Sequence, residues 1–337
     1  MLEVNIPQNT KVLLTGATGF TGSLLLKKLL NAKLSINAIA RPSSDLSQFN
    51  ALPVVWYRGE VFDEETVQKA TEGVEYIFHI AAAYREARHP DDYYRKVHLT
   101  STQLLARCAL KNHNFKRFVH CSTVGVLGHI ANPPANEEAP FNPGDIYQKS
   151  KAEAEVWLKE FARAENLPYV VIRPAAIYGP GDRRLLKFFK MASKRIMLLP
   201  GFTRGLYHLI HVDDLTNVLI IAATHPAALN QTFICGNPEA SSLEHIARMV
   251  AKALNRKLLI IHIPVKPLFI AADICEWLCK KIKIEPPLHR RRVAFFTKDR
   301  SFDTSKLTTL LKYQFAHTEE QGIAETAIWY KNVGWLK

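Results

Sequence analysis

Over the first half of the chain, short apolar runs alternate with stretches that carry apolar residues on one helical face. The runs at 11–15, 35–40, 54–57, 76–81, 117–121 and 169–172 predict strands. Between them, apolar positions recurring at three and four predict helices at 22–30, 93–111 and 146–164. Strands alternating with helices imply an α/β fold in which a doubly wound, mostly parallel sheet carries helices on both faces. After about Arg173 the alternation weakens. Pro180, Pro200 and Pro226 punctuate loops, and helical patterns follow at 213–223 and 243–254. Residues 1–174 are therefore expected to form the sheet domain, and 175–337 mainly a smaller lobe with some segments returning to the first.

With 337 residues, 47% of them hydrophobic, the chain can bury a large core, which argues against disorder. The five cysteines form no CxxC pair, no cluster with histidine and no even disulfide set, so a reducing compartment and no metal site are expected. The start MLEVNIPQNTKVLLTG lacks the long apolar run of a secretion signal, and no segment reaches the apolar length of a spanning helix. A cytoplasmic protein, at most peripheral at a membrane surface, is the expectation. The net charge of +13 suits an anionic cofactor or membrane better than nucleic acid, because no nucleic-acid motif accompanies it.

The first strand runs into Thr15-Gly16-Ala17-Thr18-Gly19-Phe20-Thr21-Gly22 at the start of a helix. Glycines here let backbone approach a pyrophosphate placed on the helix N-terminus, the arrangement of a dinucleotide-binding Rossmann fold. The spacing GxxGxxG differs from the commoner GxGxxG, and its position between strand and helix is what gives it weight. The second strand ends in Arg41-Pro42-Ser43-Ser44, without the acidic residue that would bond the ribose diol of NAD. Arg41 can instead pair a 2′-phosphate, so NADP is preferred over NAD.

Tyr147 and Lys151 stand four apart on a predicted helix and share a face. A neighbouring ammonium favours the phenolate and brings a phenol, ordinarily near pKa 10, towards use as a base. Upstream, Cys121-Ser122-Thr123 ends a strand, where the Thr123 hydroxyl can bond a substrate oxygen and Ser122 lies nearer the cofactor.

TGATGFTG, CSTVGVLG, YQKSK and RPAAIYGPGD together resemble the extended short-chain dehydrogenase/reductase superfamily over nearly the whole chain. That resemblance implies Thr123, Tyr147 and Lys151 as the catalytic set. It implies Glu60 and Val61 near the adenine, Ala81, Ala82 and Ala83 along the cofactor, and Arg173 and Pro174 near the nicotinamide. It also implies a homodimer built on the helices at 93–111 and 146–164. One departure falls at Lys96, where the superfamily often has asparagine.

Nucleotide-sugar enzymes of this superfamily usually carry asparagine where this chain has Ala176. RPAAIYGPGD resembles instead the version in 3-beta-hydroxysteroid dehydrogenases and dihydroflavonol-reductase-like members, which implies a hydrophobic alcohol or ketone, while the stretch 290–307 and GIAETAIWY resemble the tail of the 3-beta-hydroxysteroid dehydrogenase family and bear on the family rather than the substrate. Alternatives are an epimerase or dehydratase with retained NAD, and a nonenzymatic dinucleotide sensor. The stretch 267–284, with Leu268, Phe269, Ile270, Ile274, Trp277 and Leu278 beside Lys280, Lys281 and Lys283, reads equally as a lid, as core or as a segment lying on an anionic membrane. Asp213 or Asp214 is expected to cap a helix, and His79 to be a satisfied buried imidazole.

Overall fold

A computed structural model describes residues 5–83, 89–201, 205–281, 284, 286 and 299–336. Lys283 and the run Arg290 to Arg292 lie outside them, as do the side chains of Lys280 and Lys281.

The strands β1 (Lys11–Thr15), β2 (Ser35–Ala40), β3 (Val54–Arg58), β4 (Tyr76–His79), β5 (Arg117–Cys121) and β6 (Tyr169–Pro174) form one parallel sheet. It is completed by Gln231–Cys235, and its spatial order places β1 between β2 and β4. Consecutive connections run outward in opposite directions from β1, so a crevice opens beyond the carboxyl ends of β1 and β4. Apart from the edge strand β3, the strands are almost continuously buried because helices cover both faces. One layer packs Leu25, Leu29, Phe78, Val119 and Phe233, and the other Leu13, Ile77, Phe118, Leu105 and Leu158.

Helix α1 (Phe20–Asn31) follows the glycine loop, α2 (Glu64–Thr71) follows β3, and β4 ends two residues earlier than its apolar run. The shortening has a local cause. The Thr15 hydroxyl oxygen accepts the N–H groups of Ile80 and Ala81, both at 3.2 Å, which takes them out of the ladder. The helix expected at 93–111 is present but interrupted: α3 (Asp91–Arg95) passes through a π turn at Lys96–Thr100 into α4 (Ser101–Ala109). Helix α5 (Ile146–Glu165) is continuous and closes on Asn166 in the left-handed conformation.

Beyond β6 follow the strands β7 (Ala176–Tyr178), β8 (Ile196–Pro200), β9 (Leu206–Tyr207), β10 (Leu209–His211), β11 (Gln231–Cys235, the strand that completes the sheet), β12 (Ser241–Ser242) and β13 (Leu259–Ile263), with helices α6 (Leu186–Ala192), α7 (Val212–Thr224) and α8 (Leu243–Ala253) among them. Of these, α7 packs with the large sheet through Leu215, Val218 and Leu219, while α6 and α8 build a separate apolar cluster around Phe189, Leu243 and Val250. The cap of α7 is not aspartate. His211 precedes the helix and its Nδ1 accepts from Asp213 N, because Asp213 pairs with Lys28 and the buried Asp214 accepts from Tyr313 and Ala316 N.

Candidate active site

Gly16 lies at φ +74°, a conformation open chiefly to glycine, and a Cβ there would sit 2.8 Å from Ala81 N. A Cβ on Gly22 would overlap the Gly16 carbonyl oxygen. The loop is thus pressed between Ala81 and the first turn of α1, where only bare backbone fits. Gly19 caps α1 without a side-chain bond, and no acidic residue stands in the first turn, so its N–H groups keep their positive field. These features fit the pyrophosphate of a dinucleotide. Gly16, Thr18, Gly19, Phe20, Thr21 and Gly22 provide the loop, with Thr21 and Gly22 buried and Gly19 exposed. Ala81, Ala82 and Ala83 continue beside it.

At the end of β2, Arg41 is exposed and makes no ion pair among the described residues. Arg58 reaches back from β3 to the carbonyls of Ser44 and Pro42, which holds the turn that presents Arg41. Glu60 and Val61 occupy the turn after β3, Val61 with its side chain buried.

On the other side of the crevice, Lys151 is buried and its Nζ donates to the Cys121 carbonyl at 2.9 Å. This contact joins α5 to the end of β5, two residues before Thr123. Burial pushes the Lys151 pKa down from its ordinary 10.5. Thr123 caps a short 3-10 turn at Val124–Leu127, its Oγ accepting from Gly125 N at 3.1 Å. Half-buried Tyr147 lies one turn before Lys151 on α5, whose start is fixed by Asp145 accepting from Gln148 N.

A residue missed in the sequence completes this group. His98 is fully buried and stands edge-on to the Tyr147 ring. Ala83 N donates to its Nε2 at 3.1 Å, which puts the imidazole proton on Nδ1, facing Ser150 Oγ at 2.8 Å. Ser150 in turn donates to the Ile146 carbonyl. One chain of hydrogen bonds therefore links the alanine segment to the first turn of α5. The π turn makes this geometry, and it also turns Lys96 outward, where it pairs with Asp92. The departure noted at Lys96 thus concerns a surface position. His79 is satisfied as expected: the Thr15 hydroxyl, having accepted two N–H groups, donates to Nδ1, and Nε2 lies 3.1 Å from Ser101 Oγ.

Ser122 and Arg173 have other commitments. Both side chains are buried on Glu155, the serine at 2.8 Å and the guanidinium through Nη2 at 2.7 Å, with Lys159 as a further partner. Burial alone would raise the Glu155 pKa, but the bonds and charge of Arg173 and Lys159 outweigh it and hold the carboxyl below its ordinary 4.5. Arg173 also donates to the Glu137 carbonyl. This network braces β5, α5 and β6 beneath the crevice, so neither side chain is offered to a ligand. Pro174 is buried at the end of β6.

A cavity of about 890 Å³ adjoins the loop through Thr18, Gly19 and Phe20. Among the described residues, His211, His317 and Glu325 converge there, with one ligand-type atom of each within 4.8 Å of the others. His211 Nδ1 accepts from Asp213 N, so its proton sits on Nε2, which lies 3.7 Å from Glu325 without a hydrogen-bond partner among the described residues, while His317 Nδ1 bonds Asp214 at 3.2 Å.

A dinucleotide cradle across the switch point from a threonine, tyrosine and lysine defines a nicotinamide-dependent enzyme of the extended short-chain dehydrogenase/reductase type. Residues 12–236 match the NAD dependent epimerase/dehydratase family, and the chain belongs to it. It is 25% identical to the sterol-4-alpha-carboxylate 3-dehydrogenase of Schizosaccharomyces pombe, over 96% of this chain and 98% of that protein. It is 27% identical to a UDP-glucose 4-epimerase of Vibrio cholerae, over 81% and 87%. The crystal structure of gox2253 superposes with a TM-score of 0.80 at 26% identity, covering 98% of this chain and all of that one.

Proposed function

We propose that the protein interconverts a secondary alcohol and a ketone on a hydrophobic, sterol-like substrate, with NADP preferred over NAD. The observation that carries the reaction is the buried Lys151, held on the Cys121 carbonyl one helical turn from Tyr147. Its ammonium stabilises the phenolate, so the Tyr147 oxygen takes the proton from an alcohol or returns it to a ketone oxygen. The Thr123 hydroxyl donates to the same substrate oxygen and shares the charge developing there. A bound nicotinamide supplies the hydride half of this chemistry.

The substrate class is supported by Ala175 and Ala176, which give no polar handle, and by the apolar wall that follows Thr123, with Val124, Val126, Leu127 and Phe141 packed in one cluster. The likeness to a sterol dehydrogenase agrees with it. Exposed Arg41 supports the 2′-phosphate. A homodimer through α4 and α5 is supported by Trp157 and Phe161, partly exposed and stacked at 4.7 Å.

The test is turnover of a panel of cyclic and steroidal alcohols with each cofactor, followed by nicotinamide absorbance. Oxidation is expected with NADP, to be lost by about 10²-fold or more in Tyr147→Phe. Arg41→Glu should reverse the cofactor preference. Tightly retained NAD, with turnover of a nucleotide sugar and none of the alcohols, would instead make it an epimerase.

A further inference from the structure

Two strands outside the main sheet, β8 (Ile196–Pro200) and β13 (Leu259–Ile263), form a parallel ribbon in which Ile196 pairs with Leu259 and Leu198 with Ile261. The inner face is ordinary core: Met197 and Leu199 are buried against Phe189 and Val250. The outer face is also apolar. Ile196, Leu198, Leu259 and Ile261 are each 43–58% exposed, where a solvent-facing strand normally alternates to polar residues. The chain leaves β13 directly into α9 (Val265–Lys281), which exposes Ile270, Ile274, Trp277 and Leu278 at 50–61%. Their spacing of four, seven and eight puts them on one helical face. Eight large apolar side chains on two consecutive elements exceed the scatter of a soluble surface.

Charge identifies what this surface meets. Both strands begin at cations, Lys194-Arg195 before β8 and Arg256-Lys257 before β13. With Lys190 these line a cavity of about 810 Å³ that has no acidic residue among the described residues lining it and is bordered by Trp335. Lys266 adds a cation at the start of α9, and Asp273 and Glu276 are that helix's only acidic residues. A cationic end, an apolar ribbon and an apolar helix face in succession match a bilayer surface, with phosphates for the cations and acyl boundary for the apolar side chains. A second copy fits poorly, since a two-fold contact would bring two sets of these cations together.

We propose that the β8–β13 ribbon, α9 and the cation-lined cavity dock the protein onto membranes that contain anionic phospholipid. No helix among the described residues is long and apolar enough to cross a membrane, so the contact is peripheral. It is independent of the substrate reading, because its test needs no turnover.

The test is sedimentation of the full chain with phosphatidylcholine vesicles, with and without phosphatidylglycerol. Binding should be at least tenfold stronger with phosphatidylglycerol and weaken as salt rises. The triple variant Lys194→Glu, Arg195→Glu, Lys257→Glu should lose at least tenfold in vesicle affinity while keeping its far-ultraviolet spectrum and its thermal unfolding midpoint. Leu198→Ser with Ile261→Ser should weaken binding at low salt too. Failure of the wild type to bind vesicles, or equal binding by wild type and the charge variant, would overturn the proposal. So would inorganic phosphate binding in the cavity without vesicle binding, or oligomers that dissociate when the apolar residues are replaced.

Discussion

The His98 imidazole stands perpendicular to the Tyr147 ring, 5.4 Å between centroids and 84° between planes, while its far nitrogen holds Ala83 N. One side chain thus spans from the wall beside the glycine loop to the Tyr147 phenol, the proton carrier of the proposed mechanism. In that mechanism His98 positions Tyr147 and exchanges no proton with the substrate.

His98→Ala should lower kcat by about 10²-fold, the scale of a misplacement near 1 Å, with a smaller change in KM. His98→Gln, which can still accept from Ala83 and donate to Ser150, should recover at least tenfold of that loss. Full activity in the alanine variant would remove His98 from the mechanism.

Three histidines, His79, His98 and His120, are held neutral because burial pushes their pKa values well below 6.5. The unfolded chain then binds more protons than the folded one at pH below 6.5. Stability should be full above about pH 6.5 and fall as pH drops, by about 1.4 kcal/mol per unit for each histidine. Urea denaturation between pH 7.5 and about 5 measures the slope. Both nitrogens of His120 lack a hydrogen-bond partner among the described residues, so His120→Leu should reduce the slope by one proton without loss of stability at pH 7.

Glu155 carries the opposite charge logic. Glu155→Gln leaves Arg173 buried without its counter-charge and should cost about 3–5 kcal/mol in a denaturant titration. The double change Glu155→Leu, Arg173→Met removes both charges and should recover part of it. The native carboxyl, depressed below 4.5, stabilises the fold above that pH and loses its contribution as the pH falls further.

The glycine loop gives a graded prediction for dinucleotide binding by calorimetry. A Cβ on Gly19 would meet the Gly16 carbonyl oxygen at 3.3 Å, a contact a small shift relieves, so Gly19→Ala should weaken binding by less than tenfold. Gly22→Ala overlaps that oxygen and should abolish binding. Equal affinities for the two variants would contradict the packing described.

Much of this was legible in the chain because it rests on local pattern. The apolar runs of β1, β2 and β5 matched the structure residue for residue, since a strand buried on both faces reads as a continuous block. Tyr147 and Lys151 were legible because helical spacing alone puts them on one face. His98 was not, because a π turn shifts which positions face inward, and the resemblance drew attention to Lys96 instead. The pairing of Ser122 and Arg173 with Glu155 depends on three elements meeting, and a buried glutamate in a lysine-rich helix looks like surface. Asp213 and Asp214 read as caps because both lie where a cap is common, while His211 took that place and the acids turned to Lys28 and Tyr313. The ribbon's outer residues were hidden for the opposite reason: apolar strands read as interior wherever they lie.

The π turn also constrains how this protein can change. A wide turn holds one residue more than its neighbours, and each residue advances an α-helix by about 100°. Deleting one residue between Lys96 and Thr100 would restore a regular helix and swing His98 or Ser101 out of register with the other. A point substitution in that segment alters one side chain, as His98→Ala does, whereas a single deletion rotates half the helix.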